Sequence, residues 1–283
     1  MRAVQHLVAL SLLAFGVLLF PTRSLAAERG TTVPLVLRHA SHAVPGSGPT
    51  TVAYLPPELA GDSSAHIVVL LHGWSCCAAS MVASARMRCA GVLRDGWGLG
   101  ARIDDSGTET LLLVPQLALR GHDGSAGRFA EAGFLAAWLD EALDALGPRL
   151  PGGRARWAAA PLALVAHSAG YETALAILRD PGAATRVRAV VMLDALYAGA
   201  PQLVHWLGGD AARRVLSVHT RGLRTTRENA RLLALARASL GADAIGTRVV
   251  VTPATASHAA LPGLFLADFT RDFASVPEGT SSP

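Results

Sequence analysis

A serine hydroxyl is a poor nucleophile until the backbone presents it at an exposed apex beside a base. The segment Leu162-Ala163-Leu164-Val165-Ala166-His167-Ser168-Ala169-Gly170 has the order such a turn requires: an apolar strand, a tight reversal, then a helix. Small residues are needed two places before and two places after the serine, where strand and helix almost touch. Ala166 and Gly170 stand there. The general pattern is Gly-x-Ser-x-Gly, and Ala166 departs from it by one methyl group. The plainer reading makes Ser168 the N-cap of the helix that follows. Ser80, Ser84 and Ser239 have similarly small neighbours, but none of them joins an apolar strand to a helix.

Acyl transfer also requires backbone N–H groups aimed at the carbonyl oxygen as it gains negative charge. Ala169 follows the serine and supplies one candidate donor. The second is the N–H of Trp74, in His72-Gly73-Trp74 after the apolar run HIVVLL, where Gly73 lets the backbone approach a ligand closely. Among the ten histidines, His258 follows the last strand and precedes the last helix, so it is the expected general base. His219 is its rival, and His167 is expected to point the other way, into the sheet. Asp194 closes VRAVVMLDALY and is the expected carboxylate partner of the imidazole. The more usual source is the loop after the next strand, but no acid occurs there before Glu228, which reads more simply as first-turn charge on a helix. Asp123 and Asp243 are outside choices. Tyr197 and Trp206, with Gly73, are the expected pocket residues, although Leu203, Val204, Trp206 and Leu207 equally suit helix packing.

These side chains need a scaffold that delivers them to one rim. Short apolar runs at 33–38, 50–55, 66–71, 110–114, 163–166, 187–193, 215–218 and 248–251 predict eight strands, the first two an antiparallel hairpin. Helical patterns at 128–146, 169–179, 226–240 and 264–273 alternate with them, the third opening on hydroxyl caps. Such alternation implies a mostly parallel sheet with helices on both faces, whose ligands sit beyond the carboxyl ends of the strands.

With 283 residues, 51% of them hydrophobic and 16% charged, the chain can bury a large core, which excludes a disordered tail or a disulfide-stapled mini-domain. All 25 basic residues are arginine, a compositional habit and not a functional signal. The net charge of +4 and the lack of an arginine-rich run give no case for nucleic-acid binding. Arg2, the uncharged stretch Leu7 to Phe20, Pro21 and Ser24-Leu25-Ala26 have the three-part layout of a secretory signal peptide, removed after Ala26 or Ala27. That predicts a leader over 1–26, a single domain over 27–283, a secreted or periplasmic location, and no membrane span after cleavage. Of Cys76, Cys77 and Cys89, the expected disulfide joins Cys89 to Cys76 or to Cys77. No spacing completes a metal site, and no cofactor is expected.

Taken together, His72-Gly73-Trp74, Ala166-His167-Ser168-Ala169-Gly170, Asp194 and His258 resemble the α/β-hydrolase superfamily, in its chain order Ser, Asp, His. The resemblance runs from Val33 to Phe273. It implies a central, mainly parallel eight-stranded sheet with little or no cap domain and a serine hydrolase working through an acyl-enzyme. A small-molecule or envelope ester is the expected substrate. A peptidase or amidase, or a non-catalytic binding protein on the same scaffold, are the alternatives.

Overall fold

The computed structural model describes residues 28–44, 48–57, 65–119 and 125–275. The proposed leader, most of the first turn, and His122 and Asp123 lie outside the described residues. Eight strands form one sheet in the order β1-β2-β6-β3-β7-β8-β9-β10. They are β1 (Thr31–Leu35), β2 (Thr51–Leu55), β3 (His66–Leu71), β6 (Thr110–Pro115), β7 (Leu162–His167), β8 (Val187–Leu193), β9 (Arg214–His219) and β10 (Val249–Pro253). β1 and β2 pair antiparallel, as do β2 and β6, and every later pairing is parallel.

The parallel strands were readable because both their faces are buried, so the residues alternate between two apolar layers. Along β3, Ile67, Val69 and Leu71 enter one core while Val68 and Leu70 enter the other. The first core is closed by α3 (Phe134–Leu146), α4 (Gly153–Ala159), α5 (Tyr171–Arg179), α6 (Pro181–Arg186), α7 (Ala200–Gly208) and α8 (Leu223–Leu240). The second is closed by α1 (Ala78–Val82), α2 (Leu99–Ser106) and α9 (Leu261–Ala274). Among the described residues, no helix is long and apolar enough to cross a membrane.

Three sequence expectations change. The helical pattern from Arg128 is broken: a 3-10 turn covers Gly127–Ala130, and α3 starts only after Gly133, whose φ of 76° suits glycine. The long helix expected from Thr226 begins at Leu223, with Gly222 and not a hydroxyl at its N-cap. Thr225 is buried and its hydroxyl donates to the Gly222 carbonyl at 3.2 Å instead. Short elements without a clear period, namely α1, α2, α4, α6 and the hairpin β4 (Met87–Cys89) with β5 (Val92–Arg94), were not foreseen.

That hairpin is tied back to the loop after β3. Cys77, immediately before α1, is bonded to Cys89 in β4, while Cys76 keeps its thiol. Burial pushes the Cys76 thiol upward, against the charge of Arg94, so it is a poor thiolate. Closing a loop of 12 residues is worth about 3 kcal/mol in the chain-entropy account. We therefore predict that Cys89→Ser, or a reductant on the unchanged protein, lowers the urea-unfolding midpoint by a corresponding amount. Cys76→Ser should keep the reductant response in full; losing it there would reassign the pairing.

Candidate active site

β7 ends at His167, and the chain reverses at Ser168 with φ 55°. A non-glycine residue in this left-handed region costs about 1–2 kcal/mol and persists only where the surroundings enforce it. Two close approaches enforce it here. A side chain at Gly170 would collide with the Leu71 carbonyl at the end of β3, so only glycine lets the strand and α5 come together. A Cβ at Gly73 would lie 2.7 Å from the Ser168 Cβ, so the loop after β3 presses directly on the serine. Ala166 is fully buried in the core on the α5 side, where its methyl is accommodated. Ser168 makes no side-chain cap: the N-cap of α5 is Gly170. The helix-capping alternative therefore fails.

His258 begins a 3-10 turn, His258–Ala260, between β10 and α9. Its Nδ1 lies 2.8 Å from Asp194 Oδ2. Because a carboxylate only accepts, Nδ1 is the nitrogen that donates, and in the neutral ring Nε2 carries the lone pair. Asp194 follows β8 with φ 44° and is buried. Its own N–H donates to the Val218 carbonyl at 2.7 Å, fixing it across the β8–β9 gap. Thr220 donates twice to the carboxylate, from its N–H to Oδ1 at 3.1 Å and from its hydroxyl to Oδ2 at 2.7 Å. Burial alone would raise the Asp194 carboxyl, but the Thr220 hydroxyl, the His258 ring and the Thr220 N–H together hold it below the usual carboxylate value.

The rival residues have other work. Glu228 is buried and its Oε1 accepts the Ala200 N–H at 2.9 Å, which caps α7. His219 places Nδ1 2.8 Å from the Thr220 carbonyl, and its other recorded contact is with the Thr226 hydroxyl, so it does not meet Asp194. Asp243 lies in the 3-10 turn Ala242–Ala244, beyond α8.

Of the expected pocket residues, Gly73 and Tyr197 reach the site and Trp206 does not. Burial and the Asp194 charge push the Tyr197 phenol up, against the Ser168 side chain; the Tyr197 ring centroid is 5.6 Å from that of Tyr171, and Arg224 lies over it at 5.9 Å. The hydrogen bonds of His258 run to Asp194 and His167 and do not include Ser168. Trp206 is buried in the core, where its indole N–H donates to the Ala184 carbonyl at 3.1 Å. Ala184 precedes the start of β8 and Asp194 follows its end, so the seven residues of β8 separate them by about 20 Å. Trp74 is half-exposed at the rim, one residue beyond Gly73.

Several polar residues that directly follow strands have supporting roles that the sequence does not assign. Thr220 is one. Gln116, just after β6, accepts the Ala78 N–H at 2.9 Å and donates to the Cys76 carbonyl at 3.1 Å, pinning the loop that carries Gly73 and Trp74. His72 assists it: Nδ1–H donates to the Gly73 carbonyl at 2.9 Å, and Nε2 accepts the Leu117 N–H at 3.0 Å. Another is His167. Far from only facing the sheet, its Nε2 lies 3.1 Å from the His258 carbonyl.

Burial pushes both His72 and His167 down to about 4 from an ordinary 6.5, and for His167 the nearby His258 adds to the effect. Between those values the unfolded chain binds protons that the folded chain refuses, so stability is complete above pH 6.5 and declines as pH falls toward 4. We predict that the urea-unfolding midpoint drops steadily from pH 7 to pH 4.5, with a slope approaching two protons taken up on unfolding. A flat profile over this range would mean that the two rings are not buried and neutral.

No protein-family pattern and no curated protein sequence matches the chain. Its backbone nevertheless superposes on solved structures. A feruloyl esterase module from Clostridium thermocellum, complexed with sinapinate, aligns at TM-score 0.57 and 12% identity over 89% of this chain and 90% of that one. A ferulic acid esterase aligns at TM-score 0.52 and 13% identity, over 87% and 97%. At such identity the likeness concerns the path of the backbone, and with the strand order above it means that the chain has the α/β-hydrolase fold.

Proposed function

We propose that this protein is a serine hydrolase that cleaves carboxylic esters through an acyl-enzyme. The observation that carries the proposal is the Asp194–His258 hydrogen bond at the same sheet rim where Ser168 is held in a strained turn. His258 Nε2 takes the Ser168 proton as Oγ attacks the ester carbonyl. The N–H groups of Trp74 and Ala169 receive the oxyanion. His258 then returns the proton to the leaving alcohol, and water repeats the cycle to release the acid. Asp194 keeps the proton on Nδ1 and stabilises the imidazolium that forms within each half-reaction. Gly73 and Tyr197 flank the reacting carbon, with Tyr171 and Trp74 extending an aromatic rim.

The names of the aligned structures favour an ester over an amide, and their sinapinate and ferulate make hydroxycinnamoyl esters a sensible first substrate panel. The amino-terminal segment and the Cys77–Cys89 bond fit export to an oxidising compartment.

Labelling with a fluorophosphonate should modify the unchanged protein once and leave Ser168→Ala untouched, with ester turnover in that variant down by several orders of magnitude. Asp194→Asn should fold normally and lower kcat by about 10⁴. Turnover of p-nitrophenyl esters should far exceed that of the matching anilides; the reverse order would make the protein an amidase. A protein that neither labels nor turns over any ester would be a binding protein on a hydrolase scaffold.

A further inference from the structure

We propose that His167, the residue directly before the nucleophile, is the positioning residue of the general base, holding both the backbone and the ring plane of His258. This rests on the functional reading above and extends it. The His258 side chain is 40% exposed, and its ring is tied to the sheet through one hydrogen bond, to Asp194. A single hydrogen bond fixes a point and leaves the ring free to swing about it. The segment leading to His258 adds little: the Ala254 N–H donates to the His219 carbonyl at 2.8 Å, and the Ala260 N–H to the Ser257 carbonyl at 3.0 Å.

His167 supplies what is missing in two ways. A carbonyl only accepts, so the 3.1 Å contact makes Nε2–H of His167 the donor to the His258 backbone. The two ring centroids are 4.5 Å apart with planes 38° from one another, so the face of His167 limits the tilt of the base. His167 is itself immobilised, being buried, with Trp97 edge-on at 5.3 Å. Its Nδ1 is buried without a hydrogen-bond partner, as befits a neutral ring with one proton, already committed. Neutrality matters because a charged ring at this distance would repel the imidazolium that forms on His258 in each half-reaction. Phenylalanine at this position would keep the face and lose the donor; glutamine would keep a donor and lose the face. Histidine provides both.

The test uses His167→Phe and His167→Gln, each checked for folding by its thermal transition. Two readouts are followed in the full protein: ester kinetics and the downfield NMR resonance of the His258 Nδ1–H, identified by its loss in Asp194→Asn. We expect each variant to lower kcat by roughly tenfold to a hundredfold, the scale of a misplaced catalytic group, with KM within about twofold. The Nδ1–H resonance should broaden in both as the ring loosens and exchanges with water. Wild-type kcat together with a wild-type resonance in either folded variant overturns the proposal for the contact that variant removes, and in both variants overturns it entirely. If one variant fails to fold, the other decides. Should the unchanged protein not react at Ser168, the hydrolase reading falls, but the resonance still reports whether His167 holds His258.

Discussion

The whole rim depends on one close approach: Gly170 against the end of β3. It lets α5 rise directly from β7, and the reversal it permits leaves Ser168 in the left-handed region. Four non-glycine residues have positive φ among those described, and three stand in the loops that meet here: Ser75, Ser168 and Asp194. Each costs stability locally, and Ser168 and Asp194 are held there by the loop after β3 and by the Val218 carbonyl of β9, respectively. The cost is small beside two apolar layers that bury nearly every side chain of β3, β7 and β8. A rigid sheet can hold a strained turn because the strain is spread over strands that cannot slide independently.

The electrostatics follow from the order of the strands. β8 lies between β7 and β9, so a carboxylate at its end is adjacent to the turn carrying Ser168 on one side and to Thr220 on the other. In the more usual arrangement the acid comes from the loop after β9. Here that place holds Thr220, whose two donors favour the ionised form of Asp194. Moving the acid by one strand thus leaves the His258 Nδ1–H with a charged acceptor, and the vacated position becomes a donor pair that keeps the acceptor charged.

Legibility in the sequence tracked the range of the interaction. Strands buried on both faces read as apolar runs, and their ends pointed to Ser168, Asp194 and His258. The roles of Thr220 and His167 could not be read in that way. Thr220 serves a carboxylate 26 positions away, and His167 a carbonyl 91 positions away, and no local pattern marks either partner. The expectation for His167 erred by treating the residue beside the apex as sheet filling, when the end of a strand also meets whatever loop crosses it. Trp206 misled for a different reason. Its distance along the chain from Asp194 is short, but α7 runs back down the sheet, and the seven residues from Ala200 to Trp206, at about 1.5 Å each, carry the indole toward the opposite end. Sequence separation fixes how far a side chain can reach, not the direction in which its helix sets off.

In the proposed reaction the loop after β3 is the part that must be in place before any substrate arrives. Donors for an oxyanion are effective only if they need no rearrangement when charge appears. His72 holds the Gly73 carbonyl, Gln116 holds the Cys76 carbonyl and the Ala78 N–H, and Cys77 is bonded to the hairpin at Cys89. Successive residues of the loop are thereby fixed from three directions: the end of β6, the buried imidazole and the hairpin. The Trp74 N–H sits in the middle of this span, beside the one residue, Gly73, whose missing side chain makes room for Ser168. Trp74 itself is half-exposed. In the proposed mechanism the Trp74 N–H therefore needs no rearrangement when charge appears, because the residues on both sides of it are already held in place.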